Sequence, residues 1–133
     1  MGIFDLFSGG PKRFVSRKSC DRNLVNQLAM TPQTLAHLRM YDVSPDHRLK
    51  LEFFFYTDAP SKAASLAGAL GNMQYEVRYG ASASKKKNLQ TITGWSGPIG
   101  MQDTVVLDWT RQMCELGFEH DCEFDGWGTN PRQ

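Results

Sequence analysis

The ten residues RLKLEFFFYT, from 48 to 57, constrain the fold of this chain more than any other stretch. Leu49, Leu51, Phe53 and Phe55 alternate with Lys50, Glu52, Phe54 and Tyr56, the period-two pattern of a β-strand with one face directed inward. Both faces become aromatic toward the end of the strand, the second at Phe54 and Tyr56.

The flanking segments supply the layers. APSKAASLAGALG predicts a helix with Pro60 in its first turn, Ala63, Leu66 and Leu70 on the buried stripe and Gly71 as its stop. MQYEVRYG returns to strand alternation, ASASKKK suits an exposed turn, and NLQTITGW reads as a third strand that SGPIG breaks. From about Gln102 to Leu116, Val105, Trp109, Met113 and Leu116 recur at helical spacing up to Gly117, and FEHDCEF reads as a last strand with an acidic outer face. Strand-helix-strand occurring twice is the βαββαβ order of an α+β, ferredoxin-like sandwich, an antiparallel sheet with two helices on one face. Thr31-Pro32 predicts the start of a further, N-terminal helix carrying Leu35 and Leu38, and residues 21–30 an earlier one. Residues 1–20, with FSGGPKRFVSRKS, read as a basic flexible arm ahead of one domain over 21–133, whose core is 46–129.

Charge is uneven, although the net formal value is only +1. Lys12, Arg13, Arg17, Lys18 and Arg22 make the front basic, whereas from residue 101 onward seven acidic side chains face only Arg111 and Arg132. Cys20, Cys114 and Cys122 are an odd, dispersed set without a CxxC pair, which predicts reduced thiols and a cytoplasmic location. MGIFDLF lacks the features of a signal peptide, and Leu6 stands where myristoylation needs Ser or Thr.

No catalytic motif is present: the chain has no GxSxG, HExxH or GxxxxGK[ST], and no enzyme activity, cofactor or metal is expected. Glu119, Asp121 and Glu123 read as a solvated acidic face. Cys114, His120 and Cys122 are spaced C-x5-H-x-C without an evident fourth ligand, and buried, inert thiols explain them better than zinc. RNA stacking on Phe54 and Tyr56 would resemble an RNA recognition motif, but NLQTITGW lacks that module's basic-Gly-aromatic pattern and the net charge is nearly neutral. A protein partner fits the exposed aromatics better, with Trp95 and Trp127 expected on turns beside them.

The ending EFDGWGT, residues 123–129, resembles the tyrosine-aspartate-glycine-tryptophan-glycine-threonine ending of the bacterial regulator of ribonuclease activity B family, with Phe124 in place of the tyrosine. The likeness extends over residues 46–129. It implies a ferredoxin-like fold and a non-enzymatic protein that binds an endoribonuclease of the ribonuclease E type and lowers its activity. The type protein of that family is strongly acidic with an acidic C-terminal extension, and this chain departs from it in opening with a basic arm. The expected partner-binding residues are Asp125, Gly126, Trp127, Gly128, Trp95, Phe54, Tyr56 and Glu123, with Trp127→Ala expected to weaken binding more than it lowers the melting temperature. Two alternatives stand beside this reading: an immunity protein neutralising a toxin, and an RNA-binding module using the basic arm with Lys85, Lys86 and Lys87.

Overall fold

A computed structural model of the chain describes residues 12–83 and 88–133. Lys85, Lys86, Lys87 and the first eleven residues of the expected arm lie outside the described residues. The described elements run α1 (Arg17–Arg39), β1 (Arg48–Thr57), α2 (Pro60–Asn72), β2 (Glu76–Ala81), β3 (Gln90–Gly100), α3 (Asp103–Glu119) and β4 (Glu123–Gly128). The fold is α+β, with three helices and one four-stranded sheet ordered β2-β3-β1-β4, antiparallel at each pairing.

β1 is central, pairing with β3 along one edge and β4 along the other. Leu49, Leu51, Phe53 and Phe55 are all buried, and Phe53 and Phe55 pack with Ile92, Phe124, Leu66, Leu70, Met113 and Trp109 in one core. Glu52, Phe54 and Tyr56 occupy the opposite, open face beside Trp95, Thr93 and Thr91 of β3.

Several boundaries differ from the sequence reading. Residues 17–39 form one helix, so the expected arm is already helical at Arg17, and Val15 and Cys20 are buried. Ser16 starts this helix by accepting the N–H of Ser19 at 3.1 Å. Thr31-Pro32 is no helix start; Pro32 sits in the interior on the exposed side, where it forfeits one backbone bond, and Thr31 is buried with its hydroxyl donating to Gln27 C=O at 2.9 Å. SGPIG does not break β3. Ser96 and Gly97 form a bulge opposite Leu51, with Ser96 Oγ accepting Leu51 N–H at 2.9 Å, and Pro98 is tolerated because β2 pairs only as far as Trp95.

The expected strand FEHDCEF also starts later, at Glu123, because α3 continues to Glu119. Gly117 is a packing residue rather than a stop: a Cβ there would lie 2.7 Å from Cys122 C=O and 3.0 Å from the Phe55 ring. The left-handed turn falls on Asp121, at φ 58°. The buried stripe of α3 is Val106, Trp109, Thr110, Met113, Cys114 and Gly117, while Val105 is exposed. This stripe is wide because α3 packs on the sheet and on α1 at once.

Candidate functional site

Phe124 and Trp127 are three residues apart, a spacing that would send them to opposite faces of a regular strand. β4 corrects this with a bulge. Phe55 stands opposite Phe124 while Phe54 stands opposite Gly126, which leaves Asp125 as the extra residue. Gly126 has φ +119°, a conformation that L side chains rarely adopt. The tryptophan is thereby returned to the core side, opposite Phe53. Its ring stands edge-on to Trp109 with centroids 6.5 Å apart, and its indole N–H points to Thr31 Oγ1 at 3.4 Å. Trp95 and Trp127 thus lie within strands, not on turns.

Beside this bulge runs a groove of about 260 Å³ between α1 and the outer edge of β4, lined by Gln27, Met30, Thr31, Thr34, Phe54, Asp125, Gly126 and Trp127. Asn23 donates to Phe124 C=O at 2.7 Å, so α1 also satisfies part of an edge that would otherwise be open. Met30 is 55% and Phe54 39% exposed, giving the groove apolar walls within reach of a partner.

The structure therefore brings together Phe54, Asp125, Gly126 and Trp127 of the expected site, and sets the others apart. Gly128 pairs with Glu52 at the end of β4. Trp95 lines a second, shallower groove of about 280 Å³ with Lys50, Glu76, Asn130 and Gln133. The Tyr56 hydroxyl donates to the Glu123 carboxylate, and the Phe14 ring meets Tyr56 edge-on at 5.8 Å. Burial, followed by that bond, pushes the Tyr56 hydroxyl above its ordinary pKa. Sequence reasoning missed Gln27, Met30, Thr31 and Thr34, because a helix starting at Thr31 hides their common face. In a continuous helix, Gln27, Thr31, Leu35 and Leu38 recur at 4, 4 and 3 residues and mark that side directly.

The acidic residues do not share a strand face: Glu119 ends α3, Asp121 is buried in the turn, and Glu123 opens β4. Among the described residues no three His, Cys, Asp or Glu side chains converge to hold a metal ion. All three cysteines are free and buried, and burial pushes the Cys114 thiol up to about 12 and that of Cys122 to about 11. Thiols held protonated in this way are neither nucleophiles nor ready metal ligands at neutral pH. No described helix is long and apolar enough to cross a membrane.

Fold and groove together define a small α+β domain that presents a shaped surface, with Asp125 the one ionisable group among the groove's lining residues. The chain belongs to the regulator of ribonuclease activity B family, whose model matches residues 28–129. By that description its family regulates ribonuclease activity. No curated protein matches the chain.

Proposed function

We propose that this chain is a non-enzymatic regulator that binds a bacterial endoribonuclease of the ribonuclease E type and lowers its activity. The family match over residues 28–129 carries the reading, because it spans the β4 bulge and the part of α1 that sets Met30, Thr31 and Thr34 on the groove. A ferredoxin-like fold goes with it, supported by the βαββαβ order and the strand order β2-β3-β1-β4. The groove between α1 and β4 is the contact surface we favour, with Met30 and Phe54 as apolar anchors and Asp125 at the rim. We take the cytoplasm as its compartment, in keeping with three free thiols.

RNA binding is the weaker reading. Tyr56 is engaged by Phe14 and Glu123, and that carboxylate would repel a phosphate backbone beside the stacking surface. The immunity reading has no observation behind it beyond size and is not carried forward.

The test is an RNA-cleavage assay with a purified ribonuclease E-type enzyme, alongside calorimetric titration of the two proteins. The chain should slow cleavage, and Met30→Asp should weaken binding about tenfold, roughly 1.4 kcal/mol, with little change in melting temperature. An unchanged cleavage rate with no heat of binding at tens of micromolar sinks the proposal.

A further inference from the structure

The two edges of the sheet are treated differently. α1 covers β4, whereas β2 has β3 as its one strand neighbour, and among the described residues no side chain bonds its outer edge. The direction of the free groups on β2 follows from a bond at its end. Ser82 N–H donates to Leu89 C=O at 2.8 Å, and bonded pairs recur at every second residue of an antiparallel ladder. Glu76 and Arg78 therefore turn their N–H and C=O groups toward β3, and Val77 and Tyr79 turn theirs outward.

Residues 75–79 read Tyr-Glu-Val-Arg-Tyr, which is complementary to itself when run antiparallel. With Val77 opposite Val77 of a second copy, Glu76 meets Arg78 twice and Tyr75 meets Tyr79 twice. The ladder allows only registers that set outward-pointing residues against one another, so the pairing shifts in even steps. One step one way places Arg78 against Arg78, and one step the other way places Glu76 against Glu76. Opposite charges face each other in this register and like charges in its two neighbours.

The charged side chains are available for it, whereas the Tyr75 ring packs on Phe53 and its hydroxyl accepts the Trp109 indole N–H at 3.1 Å, so the Glu76–Arg78 pairs carry the register. Glu76 and Arg78 are exposed on the open face, opposite Trp95 and Thr93, and neither forms an ion pair with a described residue. Tyr79 is 49% exposed, which is unusual for a tyrosine on the side of the sheet that carries the helices. α2, the helix packed on β2, has Gly68 and Gly71 on its exposed side, and an added Cβ would meet nothing within 4 Å at either. The chain's own packing does not require those glycines, and they leave a smooth flank for a neighbouring helix.

We propose that the chain pairs with a second copy of itself through the free edges of β2, about a two-fold axis at Val77, making one sheet of twice the present four strands. The interface is small, so association should be weak and readable over a wide concentration range. Sedimentation equilibrium from about one to a few hundred micromolar should show the mass rising from 15.0 kDa toward twice that value. Arg78→Glu should weaken association at least tenfold by opposing two pairs of carboxylates, and the double variant Glu76→Arg/Arg78→Glu should restore it. A single-chain mass throughout overturns the proposal, including the case in which this edge takes a strand from a different protein. So does self-association of Arg78→Glu equal to that of the unaltered chain, or a double variant that stays monomeric; the double variant also separates lost pairing from misfolding.

Discussion

At Asp121 the backbone turns left-handed while the carboxylate points inward, accepting the N–H groups of Phe14 at 2.8 Å and Val15 at 2.7 Å and meeting Lys62 Nζ at 2.6 Å. Burial alone would raise this carboxyl, but the bonds from Lys62, Phe14 and Val15 outweigh it and hold the group below its usual range. A depressed folded-state pKa contributes stability that is fully present above about pH 4 and lost as pH falls through the folded value. Asp121→Ala should cost about 3 kcal/mol in urea unfolding at pH 7. Asp121→Asn, which tolerates the positive φ, should cost less, and its deficit should shrink as the pH of the melts is lowered below about 4 and disappear only once the folded-state carboxyl is protonated. Trp127→Ala removes a wall of the groove together with a core contact to Trp109, and should lower stability by roughly 2–3 kcal/mol as well as weaken the partner. That dual cost was not legible in the sequence. FDGWGT shows a turn-forming aspartate and two glycines, but whether a bulge follows depends on register against Phe54 and Phe55, which a linear reading does not contain.

Among the elements, β1, α2 and the existence of α3 were legible because their apolar residues repeat without interruption, and Ala63, Leu66 and Leu70 are buried as expected. α1 was legible as an N-terminal helical extension but not in its start or continuity, since its first turn carries no acidic residue and Pro32 imitates a start signal. Long-range contacts override that signal: Cys20, Thr31, Leu35 and Leu38 are buried, and Thr31 and Thr110 hydroxyls lie 3.4 Å apart across the α1–α3 interface. Pro32→Ala should therefore stabilise the protein, by about 1–2 kcal/mol in urea unfolding, by restoring a donor to an exposed helix interior. Ser16→Ala should cost about 1 kcal/mol and raise amide exchange in the first turn. The same misplaced boundary hid the helical wall of the groove, since Gln27 and Met30 precede the expected start and so fall outside the helix that would carry Thr31 and Thr34.

Over the whole molecule, the basic front and the acidic back meet. Arg13 and Arg17 both lie over the Phe118 ring, at 4.2 and 3.9 Å from its centroid, while Arg17 pairs with Glu115 at 3.0 Å and Arg13 with Asp121 at 3.5 Å. Part of the charge asymmetry is consumed inside the chain, so a basic patch counted along the sequence overstates the field offered to RNA. The alternation of elements was legible at this scale, whereas the pairing of opposite ends was not, because residues 13–17 and 115–121 lie about a hundred positions apart. The bulge at Asp125 and Gly126 also has a genetic meaning. Because one supernumerary residue decides which side of β4 the indole occupies, a deletion of a single codon there should invert Trp127 from the interior to the open face without altering any other letter of the motif. The length of the DGW segment is inherited information of the same rank as its composition.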